Sequence, residues 1–465
     1  MAIDTRASSD FAFTVPLIVI GAGGCGLTAA LAARDGGADV LVLERDPKPW
    51  GTTSMSTGLI PAAGTPEQQA DGIEDSAALF AADIQKKAED GAEPGVVAML
   101  TRESADTIAW LKDAHGLPLT LVDGFVYPGH SVRRMYGMPN RSGAELMAAL
   151  EGAAVAVGVD ILTDATVTSL YVDGDRITGV RIERPDGAVE DIGCEALILA
   201  CCGFAGNMDM VLRYIPELEG AVFNGHPGNK GDAIRWGVAL GAAIGDIAAY
   251  QGHGGLAVGH NVTINWPAII EGGFQVNVNG DRFSDESLGY SDQAVKIIAQ
   301  PDRVAWTVFD ARCHGVMMQF DDFQQAIAAG AVLRADTVAQ LAALCRLPVD
   351  GLETSFAEAE ASRASGEADR FGRSFLADRP ALAAPFYAVK VGGALYHTQG
   401  GLEIDKQARV LKADGTPFPN LFAGGGAARG VSGAGASGYI AGNGLLTATT
   451  LGKVAGRTAA AQVVG

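Results

Sequence analysis

Val15–Ile20, VPLIVI, runs directly into Gly21–Gly26, GAGGCG, and on into Leu27–Asp35, LTAALAARD. An apolar run ending at glycine, a glycine-rich turn and a helix-compatible stretch read as strand, turn, helix, and Val40–Leu43 (VLVL) supplies a second strand. The turn fits GxGxxG with glycines at Gly21, Gly23 and Gly26. The first permits the tight turn, the second lets the backbone approach a pyrophosphate, and the third lets helix and strand pack closely. The helix N-terminus then faces the negative charge. Glu44, at the end of the second strand, stands where an acid can accept ribose hydroxyls. A dinucleotide site is expected over Gly21, Ala22, Gly23, Gly24, Cys25 and Gly26, with Glu44 and Arg45 beside it.

The same region is the one stretch that could be mistaken for a membrane span, since Val15–Ala33 carries no charge. Its four glycines and Pro16 argue against that, and Met1–Phe13 reads as an arm without a basic leader. With 465 residues the chain has room for two domains or for one with an insertion, and its 62 glycines are clustered. A net charge of −20 disfavours a nucleic-acid partner. The six cysteines form no CxxC, so iron–sulfur, structural zinc and c-type haem sites lack their usual ligand spacing, and a reducing cytoplasm is the expected location.

Further along, Thr166–Glu190 alternates apolar and polar residues around Asp173-Gly174 and Pro185-Asp186-Gly187, the turn signals of successive strands. Glycine thins after Gly289, and a charged, alanine-rich helical pattern covers Ala326–Ser365, which reads as an inserted cap. The expected division is residues 1–250 and 379–465 for the nucleotide-binding domain, and 251–378 for the cap. The loop Gly51–Gly64, GTTSMSTGLIPAAG, offers amides and hydroxyls to a phosphate and a flavin edge, with Gly51, Thr52, Thr53, Ser54, Ser56, Thr57 and Gly58 as candidates.

Four pieces together carry a family resemblance: GAGGCG with Glu44 and the Gly51–Gly64 loop; Asn224–Gly245 with Gly231-Asp232; NGDRFSDE at Asn279–Glu286; and the block from HTQGGLEID (His397–Asp405) through PNLFAGGG (Pro419–Gly426) to GAGASG (Gly433–Gly438). With them the chain resembles the flavoprotein superfamily of fumarate reductases and 3-ketosteroid dehydrogenases over nearly its whole length. The resemblance implies an α/β fold, a Rossmann-like FAD-binding domain with a parallel sheet interrupted by a capping domain. It extends the cofactor site to Val167, Ala200, Gly203, Asp232, Gly425 and Gly426. It also places Gly435, Ala436, Ser437 and Gly438 beside the isoalloxazine, where a helix start stabilises negative charge at N1. The histidine that succinate dehydrogenases attach to flavin is missing from Gly51–Gly64, which implies noncovalent FAD.

The chain departs from the fumarate reductases at their arginines. Beyond Arg282-Phe283 come Ser287, Leu288, Gly289 and Tyr290, and no arginine lies between Val431 and Gly444. These replacements are similar to the ketosteroid dehydrogenases, which implies Tyr290 as general base, and Tyr396 with the amides of Gly400 or Gly401 on the ketone oxygen. A tyrosine with an ordinary pKa of about 10 needs help to act as base at neutral pH. Tyr136 is a candidate relay, His397 a candidate orienting group, and Arg133, Arg134 and Arg141 candidate anchors for a substrate carboxylate. The implied function is desaturation of a small-molecule ketone, expected to be cyclic, with an external acceptor or oxygen taking the electrons. A C=C reductase of the fumarate or urocanate kind, or a flavin-binding protein without turnover, stand as alternatives.

Overall fold

The computed structural model describes residues 2–7, 10–375 and 379–465. Its first sheet is assembled from Ala2–Thr5 (β1), Thr14–Ile20 (β2), Val40–Leu43 (β3), Asp160–Leu162 (β4), Thr166–Asp173 (β5), Arg176–Glu183 (β6) and Val189–Leu199 (β7), in the order β1-β5-β6-β7-β2-β3-β4. The run β7-β2-β3-β4 is parallel, as expected for strands joined by helical crossovers. β5, β6 and β7 form an antiparallel meander whose turns fall where the sequence places them. The N-terminal arm does more than expected: Ala2–Thr5 adds a parallel edge strand, with Ala2 opposite Ser169. Its few residues are too short a pattern for the sequence to reveal pairing.

Gly24–Asp35 (α1) packs under this sheet with Leu27, Ala29, Ala30 and Leu31 fully buried, so Val15–Ala33 is strand, turn and core helix. Among the described residues no helix is long and apolar enough to cross a membrane.

The second sheet belongs to the cap. Its strands include Tyr250–Ala257 (β8), Phe274–Val276 (β9), Val304–Asp310 (β10) and Phe386–Thr398 (β11), and β11 is the hub that pairs with both β8 and β10. The cap sheet therefore runs well past the expected boundary, whose residue 378 lies outside the described residues. Composition marks the helical part of an insertion but cannot see which sheet a later strand joins. The alanine-rich region is helical over Asp321–Ala328 (α3) and again over 338–345 and 349–365.

NGDRFSDE is a structural bracket inside the cap. Arg282 is fully buried against Glu286 (3.0 Å) and Asp369, and Arg373 reaches the same Glu286 at 2.8 Å. This closed set of charges fixes the turn that leads into Tyr290–Ile298 (α2).

The chain then returns to the first sheet through Pro417–Ala423 (β12), parallel to the C-terminal end of β7, and finishes with Asn443–Val464 (α4) along α1. The two helices meet backbone to backbone: a Cβ on Gly452 would lie 2.5 Å from the Cys25 carbonyl oxygen, and one on Gly456 2.0 Å from that of Ala29. The contact sets the middle of α4 beside the N-terminus of α1, so the first turns of α4 extend past it.

Candidate active site

One continuous cavity runs from the GxGxxG turn to the cap, between the C-terminal ends of the parallel strands and β8, α2 and α3. At its nucleotide end Gly21 has φ +102°, and its missing side chain leaves room for the Ala200 carbonyl. A Cβ on Gly26 would sit 1.8 Å from the Gly21 oxygen, whereas one on Gly23 would meet nothing within 4 Å. The three glycines thus divide into turn, open approach and close packing. The first turn of α1 holds no acid and no N-cap side chain, so beyond the Gly24 N–H its amides are available to an anion. Glu44 accepts the Ala22 N–H at 2.8 Å and the Asp46 N–H at 3.0 Å, and burial raises its pKa. Thr53 Oγ1 accepts the Gly24 N–H (3.3 Å), which ties the Gly51–Gly64 loop to the turn.

At the cap end the rings form a wall. His253 is stacked between Tyr290 (4.7 Å between centroids) and Tyr396 (5.1 Å), with the edge of Trp266 against His253 and Tyr290. Tyr439 continues it at 5.9 Å from Tyr290, and His397 closes it at 5.8 Å from Tyr439. The register of β8 against β11 shifts between His253 and Leu256, a bulge that aims His253 into the cavity.

Both imidazoles are neutral, and each has one tautomer fixed from behind. The Gly255 N–H donates to His253 Nδ1 at 3.0 Å, which leaves the ring proton on Nε2. For His397 two contacts of Nδ1 compete, the Thr398 carbonyl at 3.3 Å and the Gln399 amide at 2.9 Å, and a relay favours the shorter. Asn443 Nδ2 donates to Ser432 (2.8 Å), Ser432 donates to Gln399 Oε1 (3.3 Å), and Gln399 therefore turns its Nε2–H to His397 Nδ1 (2.9 Å). Burial lowers the pKa of His253 to about 3 and that of His397 to about 4. Each presents an uncharged Nε2–H.

Tyr290 opens α2 behind Gly289, and its hydroxyl meets Tyr439 and the backbone of Gly442. Burial pushes the Tyr290 phenol well above its ordinary pKa, and that of Tyr439 up to about 12. Tyr439 in turn accepts the Gly444 N–H (3.4 Å) from the start of α4. The two phenols form a short proton path that ends on a helix N-terminus, where a negative oxygen is favoured. Tyr396 bonds Thr263 and Asn224.

The nucleotide end fits a flavin dinucleotide, and the comparisons with known proteins agree. The model of the FAD binding domain family matches residues 17–445. The chain belongs to that family. It is 30% identical to a probable fumarate reductase of Shewanella frigidimarina over 96% of this chain and 75% of that protein. The solved open conformation of a flavocytochrome c3 fumarate reductase matches at 27% identity with a TM-score of 0.80, covering 98% of this chain and 80% of that one. A 3-ketosteroid-Δ4-(5α)-dehydrogenase from Rhodococcus jostii RHA1 shares the fold at 24% identity with a TM-score of 0.76, over 98% of this chain and 99% of that one. The protein is an FAD-dependent oxidoreductase of the superfamily that acts on CH–CH and C=C bonds, and FAD is its cofactor.

In this FAD-binding protein the residues singled out from sequence separate into three groups. Gly21, Gly23, Gly24, Cys25, Glu44, Arg45, Gly51, Thr52, Thr53, Ser56, Thr57, Val167, Ala200, Asp232, Gly425 and Gly426 line the cavity, as do Tyr290, Tyr396 and His397. Ala22, Gly26, Ser54, Gly58 and Gly203 shape the turns behind it; Gly203, for instance, leaves space for the Thr398 hydroxyl. The remainder stand elsewhere. Tyr136 is buried with its hydroxyl on Thr65 and Glu67. Arg133 pairs with Asp71 and Asp123, Arg134 is sealed against Asp75 and Asp83, and Arg141 bonds Thr120 and the carbonyls of Gly137 and Met138. The Gly400 N–H is directed at the Ala249 carbonyl, and Gly401 pairs with Gly245.

Gly435, Ala436, Ser437 and Gly438 also lie outside the cavity wall, which is built from Tyr439, Ala441, Gly442 and Gly444 a few residues on. Gly444 has a definite reason: its Cβ would fall 2.6 Å from His397 Nε2. The residues that sequence reading passes over are His253, Trp266, Asn265, Asp322 and Tyr439. His253 does carry a signal, a histidine in a glycine-rich loop, but one that raises only the question of a metal ligand. For Asp322 a paired acid at a helix start gives no signal.

Proposed function

We propose that the protein acts on the CH–CH bond beside a neutral ketone, in a ring of modest size, and desaturates it. The observation that carries this reading is the charge of the site: among the described residues, Arg45 at the nucleotide end is the one arginine or lysine lining the cavity. A dicarboxylate such as fumarate or succinate would have no counter-charge at the cap end. A ketone oxygen would find uncharged donors instead, the Nε2–H groups of His253 and His397 and the hydroxyl of Tyr396. Neutral imidazoles can polarise a carbonyl without being titrated by the enolate they stabilise.

Tyr290 is the group proposed to exchange the proton on the carbon next to the carbonyl. Tyr290 gives its own proton to Tyr439, a contact that raises the Tyr290 pKa, while Tyr290 and the Gly444 amide both ease a negative charge on Tyr439. The proton taken from substrate is thus passed on, and the charge rests on Tyr439 at the helix N-terminus. FAD, held noncovalently by the glycine turn, Glu44 and the Gly51–Gly64 loop, accepts or returns a hydride when bound. An external acceptor or oxygen would reoxidise it.

A second reading runs the same geometry backwards, as reduction of a conjugated ketone. It is favoured by the raised pKa of Tyr290, which keeps a proton on it at neutral pH, and by the reductase names among the relatives. Anaerobic mixing tests both. Bleaching of the oxidised flavoprotein by a cyclohexanone, slowed by Tyr290→Phe, supports desaturation; inertness to every saturated ketone, with rapid reoxidation of the reduced protein by an enone, supports the reverse. Rapid turnover of fumarate would overturn both.

A further inference from the structure

Beside the aromatic rings the cavity is also lined by Asp322, on α3, and by Asn265, next in the chain to Trp266. The Asn265 side chain faces the Asp322 carboxyl and favours its charged form. A carboxylate only accepts, so Asn265 turns its NH2 to Asp322, and its Oδ1, on a side chain 4% exposed, is left with no partner. Asp322 itself has no arginine, lysine or histidine in ion-pair contact among the described residues. Its charged surroundings are Asp321 beside it and, within electrostatic reach, the neutral phenols of Tyr127 and Tyr396. A half-buried carboxyl and, beside it, an enclosed acceptor without a partner thus stand together in the cavity wall. Two of the buried acids elsewhere carry cations, Glu286 two arginines and Asp83 Arg134, and others such as Glu44 and Asp310 accept backbone N–H groups. A half-buried carboxylate with no cation beside it has lost part of its hydration, and a cation arriving with the ligand would offset that loss.

We propose that Asp322 and Asn265 Oδ1 form the specificity subsite for a substituted ammonium group, so that the substrate is a ring ketone whose far end carries a protonated amine. This rests on the ketone reading above for the ring end and adds the class of the tail. It differs from a carboxylate anchor in sign: the tail that this wall selects is positive.

Phenols resemble the conjugated ring but are not turned over, so their binding can be read from the shift they cause in the visible flavin spectrum of the FAD-loaded protein. The probes are tyramine, para-ethylphenol and para-hydroxyphenylpropionate, which share a ring and differ in tail charge. Tyramine is expected to bind at least about tenfold tighter than the ethylphenol, and the propionate at least about tenfold weaker. Asp322→Asn should remove most of the preference for tyramine, Asp322→Glu should retain part of it, and Asp321→Asn, outside the cavity wall, should keep it. Equal affinity for the three phenols in the unaltered protein, or an undiminished tyramine preference in Asp322→Asn, would overturn the proposal. Because no probe has to react, the order of affinities stands apart from the ketone reading, which fails if no ketone bleaches and no enone reoxidises the flavin.

Discussion

Asp83 is a buried acid and Asp322 a half-buried one, and their surroundings treat them in opposite ways. Asp83 sits under Arg134 in the first domain, where burial pushes its pKa up but hydrogen bonds from Ser131 and Arg134 outweigh that and hold it below the ordinary value. Asp322 sits in the cavity with an amide for company, and burial, with Asp321 alongside, raises its pKa to about 6. The first is a closed structural pair whose charge is neutralised within the chain. The second is an open position whose partner must come from outside. The difference also shows why Arg133, Arg134 and Arg141 are poor substrate anchors: their hydrogen bonds are already made, while the wall that faces the ligand is uncharged or acidic.

The largest effect should come from destroying this contrast. Tyr290→Arg would place a guanidinium in the cavity. Bleaching by ketones should fall by at least about a thousandfold, because a group with pKa above 12 cannot take the proton, and the preference among the charged phenols should reverse. Next, Arg134→Ala leaves Asp75 and Asp83 buried without their cation. Denaturant unfolding should show a loss of about 3–5 kcal/mol, the usual cost of breaking a buried pair from one side.

Asp322→Asn should act the other way on stability. The folded pKa of Asp322 lies above its unfolded value, so its contribution favours folding less and less as pH rises from about 4 to about 6. The amide variant should be more stable above pH 6 by about 1–3 kcal/mol and no more stable below pH 4. Tyramine preference should fade over the same range as Asp322 takes up a proton, since Asp321 is outside the cavity wall and Tyr127 and Tyr396 stay neutral throughout. The smallest effect belongs to Arg133→Gln, an accessible ion pair worth at most about 1 kcal/mol. It should leave the phenol affinities unchanged.

The nucleotide half was readable because its physics is local. Gly21, Gly23, Gly26 and Glu44 lie on one strand–turn–helix–strand unit, and each is required by the geometry of that short stretch. The cap half was not, because its residues come from distant segments. Tyr290 and Tyr439 meet only after α2 and α4 are packed, and His253 faces the cavity only because of a bulge against β11. The slip from Gly435–Gly438 to Gly442 and Gly444 has a similar origin: sequence shows glycine-rich bends but not which one opens the helix against His397. Arg134 misled for the opposite reason, since nothing in its neighbourhood reveals that Asp75 and Asp83 fold over it.

The central claim is that the reacting end recognises an uncharged carbonyl. It is tested most directly by reducing the FAD-loaded protein without oxygen and following its reoxidation by cyclohexenone and by fumarate at equal concentrations. Reoxidation by the enone at least about a hundredfold faster is the predicted result. Faster reoxidation by fumarate would contradict it.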